Sequence, residues 1–219
     1  MSTEKVTIVC SRFRRNVDDF LSRMHTEVAP VNIIIYDKCC TEKCYKQNGL
    51  WTYSTIPFNK GNEASVYLKY IVDHYDQLSE YTFFIQDEEF AWHHSGSIID
   101  KFREALDSNK KYYNINDLAH WDKPNLIPPH LYQILLQWYA EYVEEYIPLS
   151  KVPNTDDLIY GHRGAAQFLV HQDLIHGLPK VFYERLYNWI ITTELPNYVS
   201  GRLLEWTWHV FWVILPDIC

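Results

Sequence analysis

The sequence predicts an α/β fold: a single domain over residues 1–219 with a mostly parallel central sheet flanked by helices. Three observations predict it. Short uncharged runs rich in β-branched and aromatic residues alternate with longer stretches in which apolar residues recur at helical spacing. Several of those runs are apolar throughout, the pattern of strands buried on both faces. Finally, 8 Trp, 17 Tyr and 10 Phe stand against only 7 Gly in 219 residues. That composition excludes a disordered tail, a collagen-like repeat or a flexible linker, and a chain of this length can bury one full core.

The elements follow in order. Val6–Cys10 is a short buried strand. Asn16 opens a helix in which Val17, Phe20, Leu21 and Met24 share a face, and Asp18 and Asp19 fill the first turn where the helix dipole favours them. Pro30 ends that unit, and Val31–Tyr36 is a second apolar strand ending at Asp37. Strand, helix, strand in this order predicts a parallel pair with a crossover helix. Cys39–Trp51 is a polar loop and Ser54–Pro57 a short third strand. Asn59–Gly61 is a turn, and Ala64, Tyr67, Leu68, Ile71 and Tyr75 mark the helix after it. Tyr81–Gln86 is a fourth strand that runs into Asp87-Glu88-Glu89.

Ile98, Ile99, Phe102, Ala105 and Leu106 mark the next helix, and Tyr112–Ile115 a strand. Trp121–His130 is proline-rich and irregular. Leu131–Ile147 is a long helix, Pro148–Asp157 a second irregular loop, and Gly161–Gly164 a turn before a strand at Ala165–Val170. Two helices close the chain, Val181–Ile191 and Gly201–Val213, the latter after a Ser200 cap.

Charge narrows the function classes. With 20 Lys and Arg against 28 Asp and Glu, the net charge is −8. That argues against unspecific binding to nucleic acid or anionic membranes, which needs a basic face. Arg12, Arg14 and Arg15 are the one tight basic cluster. Five cysteines, three of them within Cys39–Cys44, lack the second pair a zinc site needs and read as reduced thiols. Val6–Cys10 is too short for a secretory core, and Val210–Leu215 is far short of the ~20 residues of a membrane helix. The expectation is a cytoplasmic chain with no membrane span.

In open α/β sheets, ligands bind beyond the carboxyl ends of the strands. Ser11 and Arg12 follow the first strand, Asp37 the second, and Gln86, Asp87, Glu88 and Glu89 the fourth. Asp87 and Glu89, two residues apart, face one way at a strand end. Such a pair either holds an oxygen-liganded cation such as Mg²⁺ or Mn²⁺ or is a solvated acidic turn. His93 and His94 follow, either as ligands with Asp87 or as a stacked loop pair. His209 lies one turn after Glu205 on a face with Trp208 and Trp212, as a core residue or a ligand. The Asn59–Glu63 turn opens a helix with free amides, which either receive a ligand's polar groups or are simply capped. No P-loop, G-x-G-x-x-G or G-x-S-x-G occurs, and Cys10, at the end of a buried strand, is a poor nucleophile.

The order of these parts resembles the nucleotide-binding half of GT-A-fold glycosyltransferases: an apolar strand ending in Asp, then N-x-G opening a helix, then an apolar strand ending in paired acids. A second resemblance covers about two-thirds of the chain. It rests on Pro57–Ala64, Tyr67–Asp76, Phe83–Gln86, Ala166–Val170, Pro179 with Phe182-Tyr183, and Glu205–Phe211. These blocks look like a family of uncharacterised domains from fungi, plants and large DNA viruses, which is associated with viral GT-A glycosyltransferases.

The resemblance implies a nucleotide-binding half at 1–90 and an acceptor half at 91–219. It implies an enzyme that moves sugar from a nucleotide-diphosphate donor, UDP-sugar first, to a glycan, glycoprotein or other hydroxyl acceptor, with Mn²⁺ or Mg²⁺. By position, Asp87 and Glu89 take the D-x-D places, Glu89 departing by one methylene. Asp37 takes the base or ribose place, and Ser11, Arg12, Asn59, Gly61, Glu63 and Gln86 line the donor. His209 takes the place of a late metal ligand. Glu205, with Asp173 behind it, is the acceptor base if the reaction inverts. Trp92, Trp121 and Trp208 offer flat faces to an acceptor sugar, or are core. Two alternatives stand beside this: a metal-dependent hydrolase on Asp87, Glu88, Glu89, His93 and His94, and a non-catalytic carbohydrate-binding module of the same fold.

Overall fold

The computed structural model describes residues 5–39, 51–116, 127–152 and 166–213. The predicted turn at Gly161–Gly164, most of the proline-rich segment and Trp121 lie outside the described residues. The chain divides into two compact units, one of residues 1–59, 76–117 and 166–172, the other of 60–75, 118–165 and 173–219.

The first unit holds the sheet: β1 Val6–Arg12, β2 Asn32–Asp37, β3 Trp51–Thr55, β4 Tyr81–Gln86, β5 Tyr112–Asn114 and β6 Phe168–His171. The strand order is β3-β2-β1-β4-β6-β5. β1 runs parallel to β2 and β4, and β2 parallel to β3. β6 is antiparallel to both β4 and β5. This is the expected mostly parallel sheet. After β3 the chain returns to the other side of β1, so the strand order reverses between β1 and β4. That reversal is the topological switch point at which open sheets bind ligands.

The register brings the strand ends level. Ser11 stands opposite Tyr36 and Gln86, and Arg12 opposite Asp37. Alternate residues of β1, β2 and β4 make one apolar face: Ile8, Cys10, Ile33, Ile35, Phe83 and Ile85. Against it pack Phe20 and Leu21 of α1 (Asp18–Arg23) and Ile98, Ile99, Phe102 and Ala105 of the second helix on this face, Ile98–Asp107. Phe83 and Phe102 stack at 4.9 Å. Val9, Phe84, Phe168 and Val170 on the opposite face are buried too, which is why the strands read as continuous apolar runs. Each such side chain contributes about 1.5–3 kcal/mol on burial.

The helix begun at Asp18 widens into a π-turn at Met24–Val28 and stops at Ala29, which is extended at φ −157. Pro30 causes this, because proline forces the preceding residue out of the helical region. Strand β3 begins at Trp51, earlier than the sequence suggests.

The second unit is helical: α2 Ala64–His74, then α4 Pro129–Tyr142 (Ile98–Asp107 of the first unit being α3), α5 Gln172–His176, α6 Lys180–Thr192, α7 Asn197–Glu205 and α8 Trp208–Val213. Its aromatic centre is well ordered chemically. Trp208 and Trp212 stack at 5.3 Å, Phe182 meets Phe211 edge-on at 5.0 Å, and Trp212 Nε1 donates to the Tyr183 hydroxyl at 3.1 Å. That hydroxyl donates onward to the Ile175 carbonyl at 2.9 Å, and burial pushes its pKa far up.

Two helices depart from expectation. The long helix stops at Tyr142 and gives way to a turn. The predicted last helix is two, because the Thr207 hydroxyl bonds back to the Leu203 carbonyl at 2.7 Å and bends the chain there. Ser200 is not the cap either. Pro196 precedes the first turn, and the Ser200 hydroxyl bonds back to its carbonyl at 3.3 Å. Among the described residues no helix is long and apolar enough to cross a membrane.

Candidate functional site

The carboxyl edge of β1, β2 and β4 gathers most of the expected donor residues. Arg12 Nη1 meets Asp37 Oδ2 at 2.9 Å, and the other Asp37 oxygen accepts the Cys39 amide at 2.8 Å. Asp87 Oδ2 accepts the Phe13 amide at 2.6 Å. Arg15 meets Glu88 at 2.7 Å. Glu89 Oε2 pairs with Arg23, while its Oε1 accepts the Ser97 hydroxyl at 2.9 Å. Ser97 in turn caps α3 by accepting the Ile99 amide at 3.1 Å.

The acid run therefore staples three separate pieces of chain: Asp87 and Glu88 hold the turn after β1, and Glu89 holds α1 and the start of α3. Each of its carboxylates has a separate protein partner. Among the described residues no three His, Cys, Asp or Glu side chains gather into a group able to hold a metal ion. The residues present do not fit the implied Mn²⁺ or Mg²⁺ as a protein-built site.

Behind the edge lies a polar network. The Gln167 amide oxygen accepts the Gln86 amide at 3.1 Å, so its nitrogen is the donor to His93 Nε2, 2.9 Å away. The neutral His93 ring then carries its proton on Nδ1. Burial, then the charge of His94, lowers the His93 pKa to about 4. Nε2 is thus occupied, and His93 is no open ligand. The Gln167 carbonyl accepts Asn116 Nδ2 at 3.0 Å and the Ile115 amide at 3.3 Å, which ties β6 to the end of β5. Ser11 is 3% exposed, and its hydroxyl has no hydrogen-bond partner. The Cys10 thiol is pushed up by burial and then by the Asp87 charge, in keeping with an inert core cysteine.

Of the two expected acceptor rings among the described residues, Trp92 is open, at 73%, with Phe90 beside it at 68%. Trp208 is fully buried and stacked, so it is core and not a sugar platform.

The second unit places other expected residues together. Gly61 has φ +61, and a Cβ there would fall 2.2 Å from the Ile190 side chain. Asn62 follows at φ 53. Gly201 of α7 backs onto this turn, where a Cβ would meet the Gly61 carbonyl at 3.1 Å. The close approach brings Glu63, 5% exposed at the start of α2, beside Glu205 at the end of α7. Burial, then the charge of Glu63, raise the Glu205 pKa well above the carboxylate range, and Arg202 opposes this. His209 is buried in the same unit; Asp173 is exposed in the first turn of α5; Asn59 is exposed before the turn.

Sequence reasoning has a signal for Arg15, in the basic cluster, and places Gln167 in a resemblance block without a role, but has none for Arg23. Their partners lie far along the chain, and only pairing across the sheet unites them.

The family described as "Protein of unknown function (DUF3431)" matches residues 27–219, and the chain belongs to it. The blocks from Pro57 to Phe211 that carry the sequence resemblance lie inside that range. No curated protein matches the chain.

Proposed function

We propose that this protein is a glycosyltransferase that moves a sugar from a nucleotide-diphosphate donor, UDP-sugar first, to a hydroxyl acceptor. The observation that carries the reading is the β1–β4 switch point. There Ser11, Arg12, Asp37 and Gln86, four of the eight residues that the GT-A resemblance assigns to the donor, stand level at one sheet edge, and a fifth, Asp87, accepts the Phe13 amide there.

In this reading the first unit binds the donor. Arg12 is held by Asp37 and by the Arg15 carbonyl, which accepts Arg12 Nε at 2.7 Å, so its guanidinium is oriented before a ligand arrives. Because Asp87 and Glu89 are committed to separate partners, no step runs through a metal. Glu205 and Asp173 remain the candidate bases for the acceptor's proton if the reaction inverts. Trp92 and Phe90 supply the exposed rings for a sugar face.

The test is calorimetry with UDP, with and without Mn²⁺. Binding of UDP is expected, and failure of any nucleoside diphosphate to bind sinks the transferase reading. The exposed Trp92 and Phe90 also favour a non-catalytic carbohydrate-binding module, which predicts glycan binding without nucleotide binding. The hydrolase alternative loses ground, since His93 and the three acids each serve a different structural partner.

A further inference from the structure

We infer that the donor's diphosphate is received by Arg14, flanked by Arg12 and Arg15, and that the acid run serves to hold this arginine turn rather than a cation. The inference rests on the donor reading above and names how its charge is met.

The turn after β1 is fixed at three points. The Phe13 amide donates to Asp87, Arg15 pairs with Glu88, and Arg12 pairs with Asp37. Two of these acids pair with two arginines, and the third, Asp87, accepts a neutral amide. Arg14 is the cation they leave over. It is exposed and has no acidic partner among the described residues. Its guanidinium lies 5.0 Å from the centre of the Phe13 ring. The ring positions the charge without cancelling it.

Its backbone is the second observation. Arg14 has φ 74, the left-handed region, where a residue with a Cβ costs roughly 1–2 kcal/mol. Nothing local makes arginine suited to that position; glycine or asparagine would sit there more easily. Strain of this kind persists where surrounding contacts impose it, and it gathers at ligand sites. Here the contacts are the staples on either side of Arg14. Ser11 is the third observation. Its buried hydroxyl has no partner, three residues before Arg14 and level with Gln86, and buried polar atoms are seldom left so.

The chemistry selects the ligand class. A guanidinium binds a phosphate through two parallel N–H donors, which an ammonium cannot do. With a net charge of −8, the chain as a whole repels polyanions, so an anion that binds here is held by this turn. A nucleoside diphosphate carries its charge at one end and its base at the other, which matches an arginine turn at the end of an open sheet.

The experiment is titration of the full chain with UDP in EDTA and again in Mn²⁺, for wild type, Arg14→Ala and Arg14→Lys, with inorganic pyrophosphate as a second probe. UDP should bind in EDTA about as tightly as in Mn²⁺. Arg14→Ala should weaken it at least ~10-fold in both buffers, the loss of a charged hydrogen bond, and Arg14→Lys should fall between. Arg14 is exposed, so the thermal midpoints of the variants should match wild type and separate lost binding from lost folding. UDP binding that requires Mn²⁺ and ignores Arg14→Ala overturns the inference and leaves the donor reading standing. Equal binding in both buffers that ignores Arg14→Ala also overturns it. Pyrophosphate that binds as tightly as UDP overturns the nucleotide assignment. Binding of UDP in neither buffer takes down the donor reading and this inference together.

Discussion

Acids meet two opposite fates in this chain. At the carboxyl edge of the first unit, Asp37, Asp87, Glu88 and Glu89 each find an arginine or a backbone amide. In the second unit Glu63 and Glu205 find each other. The crowded acids are spread over separate partners, three on arginines and Asp87 on a backbone amide. Burial, and then the charge of Glu63 beside it, raises the Glu205 pKa. Density of charge along the sequence is therefore a poor guide to where a carboxyl is chemically poised; pairing across the fold decides it.

The close helix packing that creates the glutamate pair is the place to break the contrast hardest. Gly61→Ala puts a Cβ into Ile190 and forces a side-chain residue to φ +61. A loss of about 3 kcal/mol is expected, read by denaturant unfolding. With the turn displaced, the pairing of Glu63 with Glu205 should go with it. A loss of a few tenths would show that α6 yields easily and that the turn is not held by this contact.

The pair itself should show in the pH dependence. The folded chain keeps a proton on Glu205 that the unfolded chain releases above the ordinary glutamate value of 4.5. Stability contributed by that proton is complete below the unfolded value and is lost as pH rises through the raised folded value. Glu205→Gln should remove this slope and melt higher than wild type at mildly alkaline pH, as followed by thermal melts across the range. A slope that survives the substitution would locate the titrating group elsewhere.

The smallest effect is expected at the first unit's edge. Arg23→Ala removes one partner of a surface pair in which Glu89 still accepts the Ser97 hydroxyl. The cost should be under about 1 kcal/mol and should shrink further in high salt, measured by the same melts. A larger loss would mean that the edge acids are more deeply coupled than their separate pairings suggest.

Much of the fold was legible in advance. Val31–Tyr36 and Tyr81–Gln86 read as buried strands because both of their faces are covered, and the observed strands Asn32–Asp37 and Tyr81–Gln86 agree closely. The helix at Ala64 was marked by its periodicity. The break at Trp206-Thr207 was not legible, because a Thr back-bond competes with helix only once the chain is in place. In the candidate site, the position of Ser11, Arg12, Asp37 and Asp87 at strand ends was readable from the strand boundaries alone. That Trp208 is core and Trp92 exposed was not, since both are tryptophans beside a histidine.

By itself the sequence determined which segments are strands and helices, that the sheet is mostly parallel, and which polar residues arrive at its carboxyl edge. These depend on apolar periodicity and chain order, which are local. The tertiary structure decided which carboxylate meets which cation, which arginine is left without one, and that Glu63 lies against Glu205. Those depend on distances of a few ångströms between residues remote in the chain, where a glycine such as Gly201 admits contact and any side chain would hold the partners apart.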